Sequence, residues 1–330
     1  MAKNQLEIMK AIGGYFSLEL PIVQGSYIHE KGIHLNSGRN ALEYILRSIS
    51  DIQCLWIPYY TCDVVLEPLK KLDIPYRFYS VNEYLELTDE IDLGENEYLL
   101  ATNYFGIKDA YIKELASRYG ERLIVDNAQA FFAEPIEGIK TVYSPRKFVG
   151  IPDGGIAYMK NGFDISGLEQ DISYDRCSHL LKRLDLGAEA GYADFRENSH
   201  QLMNQPIKRM SNLTWNLLQG IDFDSVKKQR RENFKQLHEA LSCINRLYIP
   251  DMDNFACPMV YPFYTSDDML KKRLIENKIF VATYWPNVLD WCKHGMLEHE
   301  LASKVIAIPV DQRYENKDMR FVIEFIKDER

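Results

Sequence analysis

Tyr143-Ser-Pro-Arg-Lys-Phe-Val-Gly-Ile-Pro-Asp-Gly-Gly155 sets a lysine, Lys147, in a loop fixed by two prolines and three glycines. Apolar runs stand on either side, Arg122-Leu-Ile-Val-Asp126 before it and Gly155-Ile-Ala-Tyr-Met159 after it. An amine held there loses its proton more readily if it is desolvated and lies near another cation, and so becomes a nucleophile. The plainer alternative is an exposed basic pair, Arg146-Lys147.

Working outward, three more stations fall where an apolar run ends. In Ile124-Val-Asp-Asn-Ala-Gln129, Asp126 closes a buried run and needs a partner at the sheet edge. A pyridinium N–H is one such partner, and a helix N-cap is the other reading. Gln129 is expected to point the same way from the start of the next helix. In Leu35-Asn-Ser-Gly-Arg-Asn-Ala-Leu42, Ser37 and Gly38 sit where a strand gives way to a helix. The free N–H groups and dipole of a helix N-terminus attract a phosphate, although Ser-Gly is also a plain cap and turn. Pro58-Tyr-Tyr-Thr-Cys-Asp63 offers aromatic and hydroxyl groups to the flanks of a flat ring, or simply a loop capped by Thr61. No GxxxxGK[ST] occurs, and no GxGxxG follows a strand, which argues against P-loop and nicotinamide readings.

Short apolar runs recur at Cys54–Ile57, Pro75–Tyr79, Tyr98–Thr102, Arg122–Asp126 and Gly155–Met159, with amphipathic helical patterns between them. One helix carries Ala41, Leu42, Ile45, Leu46 and Ile49 on a face. A second carries Val64, Val65, Leu69 and Leu72, with Pro68 bending it or shifting its start. A third carries Ile112, Leu115 and Tyr119, with Gly120 as its stop. That alternation predicts βαβ units around a parallel sheet whose strands are buried on both faces, with ligands at the carboxyl ends. After about residue 160 the pattern changes. A polar helical stretch covers Ser173–Asp194, and a strong helix covers Ser225–Leu241. Then come a strand within Phe255–Tyr264, a helix Asp267–Asn277, strands Ile279–Thr283 and Val305–Pro309, and a helix Lys317–Lys327. The division expected is an N-terminal segment 1–25, a large domain 26–224 and a smaller α+β domain 225–330.

The chain has 330 residues, is 46% hydrophobic and carries 39 Lys+Arg against 48 Asp+Glu, a net charge of −9. That excludes a disordered chain and disfavours nucleic acid as a partner, since phosphate contacts need clustered positive charge. No apolar run approaches the ~20 residues of a membrane span, and no signal peptide is visible. With six scattered cysteines and no CxxC, a reducing cytoplasm is expected. The trio Cys292, His294 and His299 matches no zinc template, so no metal is expected.

In this order and spacing, strand–SG–helix, P-x-x-T, V-D-x-A-Q, S-P-x-K and D-G-G resemble the pyridoxal-phosphate enzymes of aspartate-aminotransferase fold (fold type I). Within them the chain looks most like the DegT/StrS group of sugar aminotransferases. Lys208-Arg-Met-Ser211, Ile279–Pro286 and Val305–Pro309 extend the likeness over nearly the whole chain. The resemblance implies a large α/β domain with a mostly parallel sheet flanked by helices and a smaller C-terminal α+β domain. It also implies that Lys147 carries pyridoxal 5'-phosphate as an internal aldimine, that Asp126 keeps the ring nitrogen protonated, and that Gln129 bonds the ring oxygen. Ser37, Gly38, Arg39 and Ser144 then hold the phosphate. Family members work as homodimers, and Ile12, Tyr15, Phe16 and Leu18 to Ile22 are candidates for the interface.

Departures from the family fall around the substrate. Its ring-stacking aromatic is replaced by Cys62, so either Tyr60 or Tyr59 takes that place or the ring is covered less tightly. Its phosphate serine five before the lysine is Val142, the Asn contributed by the neighbouring subunit is Ile207, and its His is Tyr284. Arg209, Tyr284 and Arg313 are the candidate substrate contacts. The function implied is transfer of an amino group, from glutamate, to a keto sugar or sugar-nucleotide-like substrate. The alternatives are a sugar dehydratase, which in this family replaces the lysine with His, and a non-catalytic cofactor-binding sensor.

Overall fold

The computed structural model describes residues 15–25 and 27–328. Ile12, offered above as an interface residue, lies outside them. The order is β1 (Ile33–Leu35), α1 (Gly38–Arg47), β2 (Cys54–Pro58), α2 (Leu66–Lys71), β3 (Tyr76–Tyr79), β4 (Glu97–Thr102), α3 (Asp109–Tyr119), β5 (Leu123–Asn127), β6 (Lys140–Tyr143) and β7 (Gly155–Tyr158). Then follow α4 (Ser178–Leu186), α5 (Tyr192–Gln201), α6 (Asn212–Gln219), α7 (Phe223–Leu241), β8 (Val260–Tyr264), α8 (Leu270–Glu276), α9 (Pro286–Trp291), α10 (Leu297–Lys304), β9 (Val305–Pro309) and α11 (Asn316–Asp328).

The first seven strands form one sheet in the order β1-β7-β6-β5-β4-β2-β3. Only β7 runs against its neighbours, pairing antiparallel with both β1 and β6. All other strands therefore end at the same rim. Leu35, Pro58, Thr102, Asn127 and Tyr143 close five of them there, and the four motif stations follow directly. Successive residues of β4 and β5 face opposite ways, as the strand period requires. Leu100 and Ile124 join α1 and α2 on one face. Leu99 and Val125 join α3, α7, β8, β9 and α11 on the other. The buried cluster on this second face runs without a break into the C-terminal segment.

Pro68 lies inside the first turn of α2, after a 3-10 turn at Asp63–Val65, so it shifts the helix start rather than bending the helix. Two expectations are corrected. No helix follows β5, where residues 128–138 form turns such as Ala130 N–H to Asn127 carbonyl (2.9 Å), with Pro135 and Gly138 against helix continuation. Residues 279–283 are not a strand. β9 pairs fully with β8, and its other edge takes only one bridge, Ala282 to Ala307.

Candidate active site

Lys147 closes the 3-10 turn Pro145–Lys147 hung from the end of β6. Pro145 suits the first position because its missing N–H would have no partner there. Its carbonyl accepts from the N–H groups of Phe148 and Val149 at 2.9 and 3.0 Å. The Lys147 side chain is exposed, with no hydrogen-bond or ion-pair partner among the described residues. Its charge reaches two groups on other loops. Burial pushes the Asp126 carboxyl up, and Lys147 pulls against that push. Burial also raises the Cys62 thiol, and Lys147 opposes it there as well.

Asp126 stands opposite Thr102 of β4 and Val142 of β6, one residue from the end of β5. Its Oδ1 accepts from the Ala128 N–H at 2.8 Å. The buried Gln129 accepts from the Phe105 N–H through Oε1 at 2.8 Å. Only the oxygen of an amide can accept, so the other end is the nitrogen, and that Nε2 is buried without a hydrogen-bond partner among the described residues.

The turn at the start of α1 completes the rim. Ser37 caps the helix, its Oγ accepting from the Asn40 N–H at 3.1 Å. A Cβ placed on Gly38 would stand 3.3 Å from the Cβ of Ser144, so α1 touches the Lys147 turn at this point. A Cβ on Gly155 would lie 2.0 Å from the Ser37 carbonyl oxygen, and Gly154 has φ +111. Only glycine fits this corner, which explains the paired glycines after Asp153. Asp153 is fully buried and receives Arg176 Nη2 at 2.9 Å, which anchors the loop's far end.

No protein-family model matches the sequence, and no curated protein is similar to it by sequence. Solved structures are similar in shape. S. venezuelae DesV, determined in complex with a ketimine intermediate, shares 18% identity over 90% of this chain and 84% of that one, with a TM-score of 0.62. The sugar aminotransferase CalS13 from Micromonospora echinospora shares 16% over 90% and 87%, at 0.59. A DegT DnrJ EryC1 StrS aminotransferase from Brucella abortus shares 14% over 90% and 85%, at 0.60. This is aminotransferase fold type I. At these identities the likeness is one of fold.

On the fold type I rim, Ser37, Gly38, Ser144, Lys147 and Asp126 share one neighbourhood, with Gln129 three residues beyond Asp126. Tyr284 joins it, since its phenol, pushed up to about 12 by burial and by Cys62, lies within electrostatic reach of both Cys62 and Arg230. Other expected residues are engaged elsewhere. Arg39 turns its guanidinium to the Leu202 carbonyl (2.7 Å) and to Glu67 (3.3 Å), because α2 brings an acid beside it. Tyr60 is fully buried, stacked on Tyr104 with ring centroids 5.4 Å apart, so it is closed off from the rim. Tyr59 stacks on Phe78. Arg209 donates from Nε to the Leu168 carbonyl at 3.1 Å. Arg313 grips Asp311 with two nitrogens, at 2.6 and 2.8 Å.

One arginine was read only as half of an exposed basic pair, and another was not singled out at all. Arg146, next to Lys147, has no hydrogen bond or ion pair among the described residues. Burial and the neighbouring Arg39 bring it down to about 10, with Asp153 opposing. Arg230 is buried on α7. Its signal was available, because it lies four residues from Val226 and four from Phe234, inside an apolar stripe. Among the described residues no group of three or more His, Cys, Asp or Glu side chains could hold a metal.

Proposed function

We propose that this protein is a pyridoxal-phosphate-dependent aminotransferase that moves an amino group, from glutamate, to a keto sugar or sugar-nucleotide-like substrate. The observation that carries the reading is the placement of the Lys147 turn and the half-buried Asp126 at the carboxyl ends of neighbouring strands, where the lysine's charge reaches the carboxyl. The surrounding residues fit the cofactor. A Gln129 nitrogen unpaired among the described residues and a glycine-lined corner at the start of α1 suit a ring oxygen and a phosphate.

Bound there, pyridoxal phosphate supplies a cationic ring that withdraws electrons from the substrate carbon. Lys147 would anchor it through Nζ, and Asp126 would hold the proton on its ring nitrogen by short-range attraction. Gln129 would donate to the ring oxygen. Ser37, Gly38 and Ser144 would hold the phosphate, with Arg146 beside them to offset its charge. Released from the anchor, the Lys147 Nζ is the group placed to take a proton and return it. Tyr284, beside Cys62, is better placed for substrate than Arg209 or Arg313, whose guanidinium groups are already engaged.

We take residues 26–224 as the cofactor-carrying part and 225–330 as the part that supplies Tyr284. Tyr15 and Phe16 (98% and 93% exposed), with Leu181, Leu184 and Leu186, present apolar surface that supports a homodimer. The unpaired cysteines and acidic charge are in keeping with a cytoplasmic enzyme. Among the described residues no helix is long and apolar enough to cross a membrane.

The test is spectroscopic. Protein purified with pyridoxal phosphate is expected to absorb in the visible, and borohydride should fix the cofactor onto the peptide containing Lys147. Glutamate should convert the band to the pyridoxamine form, and Lys147→Ala should lose both band and turnover. A band that no amine alters would leave the sensor reading, and no band at all would sink the proposal.

A further inference from the structure

Arg230 is 2% exposed, in a stripe whose other members include Val226, Phe234 and Leu237. Burying a guanidinium costs several kcal/mol unless its donors are met, and well-packed hydrophobic residues often serve stability as well or better. No carboxylate forms an ion pair with it among the described residues. Asp311, the acid within reach, is held by Arg313 on two nitrogens. Neutral oxygens meet its donors instead. Nη1 donates to the Met259 carbonyl (3.0 Å), Nε to Gln312 Oε1 (3.0 Å) and Nη2 to the Phe148 carbonyl (2.9 Å). The Phe148 ring lies beneath the guanidinium, 4.7 Å from its centre.

The Phe148 carbonyl belongs to the residue directly after Lys147, and it accepts a second donor, Gln312 Nε2, at 2.9 Å. Arg230, Gln312 and this oxygen thus form a closed triangle. The segment that carries Gln312 is fixed in turn, because Asn233, three residues along α7, donates Nδ2 toward the carbonyls of Val310, Asp311 and Tyr314. An oxygen held by donors from two directions fixes the plane of its peptide group. The opposite side of the turn is fixed by the bond from the Lys147 N–H to the Ser144 carbonyl.

We infer that Arg230 is a positioning residue for Lys147: with Gln312 it locks the peptide that follows Phe148, and so sets the direction in which the lysine amine leaves its turn. This rests on the pyridoxal-phosphate reading for its consequence, though not for its geometry. The clamp also joins the Lys147 turn to α7 and to the turn after β9, which no motif in residues 122–155 supplies.

Two probes separate positioning from simple stability. Covalent capture is followed with pyridoxal phosphate, by borohydride trapping and mass measurement of the Lys147 peptide. Non-covalent binding is followed with 4'-deoxypyridoxine 5'-phosphate, which has no aldehyde. Arg230→Met and Gln312→Leu are each expected to slow capture, Arg230→Met by about tenfold or more, while the analogue's Kd stays within about twofold. Arg230→Lys keeps the charge but not the forked donors, so it should also slow capture; it serves if the Met variant fails to fold. Equal loss of capture and analogue binding, or no change in either, overturns the inference. Amide hydrogen exchange over residues 144–150 tests the clamp without any cofactor. Faster exchange in the variants supports it, and unchanged exchange overturns it. Wild-type protein that is never captured would sink the cofactor reading and leave the exchange result to decide the clamp.

Discussion

Lys147 and Asp126 sit at the ends of neighbouring strands, and the lysine's charge pulls down a carboxyl that burial pushes up. Asp126→Asn removes the acid while keeping its size. Cofactor should still attach to Lys147, but glutamate conversion should slow by on the order of 100-fold, because the ring nitrogen loses the charge that keeps its proton. Single-turnover absorbance measures this directly. An unchanged rate would mean that Asp126 is a turn-forming residue only.

Gly155→Ala puts a methyl group 2.0 Å from the Ser37 carbonyl oxygen, and neither backbone can yield without breaking the bridge between Ser37 and Gly154. The expected loss is about 2–3 kcal/mol of stability, in the range of an overpacked interior. It should be accompanied by weaker cofactor binding. Urea unfolding and a cofactor titration of the same variant report the two effects. Gly120→Ala meets no atom within 4 Å and serves as the control for a substitution strained only by its backbone.

Tyr60 buries a hydroxyl that has no hydrogen-bond partner among the described residues. Tyr60→Phe removes an unpaired polar group and leaves the stack on Tyr104 in place, so stability should hold or rise by about 1 kcal/mol. Covalent capture of cofactor should be unchanged. A marked fall in cofactor affinity would return Tyr60 to the site.

Acid should weaken the fold through two histidines, His34 within β1 and His29 packed against Tyr158 of β7. Burial brings His29 and His34 down to about 4 from 6.5. His29 Nε2 donates to the Phe131 carbonyl at 2.7 Å, so its Nδ1 accepts from the Tyr158 hydroxyl, an arrangement suited to the neutral ring. Between pH 6.5 and 4 the unfolded chain holds more protons than the folded one, so stability rises with pH across that window. It is full above about 6.5 and is lost as pH falls toward 4, and because the two charges repel each other their contributions do not simply add. Urea midpoints at pH 7.5, 5.5 and 4.5 should trace this, and a His29→Gln, His34→Gln variant should show a flatter profile.

The sheet was readable because its buried strands are continuous apolar runs. Leu123–Val125 and Leu99–Ala101 each serve two cores at once. β1 and β6 leave no such run, since His34, Lys140 and Thr141 interrupt them, and only the order of the motifs implied them. The strand expected at residues 279–283 was misread because an apolar segment needs a free edge to pair with, and Ala307 offers that edge at a single point. Long-range pairing also hid the fate of the arginines. Arg39 looks like a phosphate ligand until α2 supplies Glu67. Arg230 looks like one more charge in a solvated helix until the positions of Val226 and Phe234 show that it faces inward.

The reversed direction of β7 has a mechanical consequence. Because it starts where β6 ends, residues 144–154 form a span with both feet planted on one ledge, the first at Tyr143 and the second at Gly155. Length added between Val149 and Pro152 would bulge outward at the crown of that arch, while the amine beside the first foot kept its place. Variation in the crown can therefore be absorbed there while leaving the reactive nitrogen where it stands.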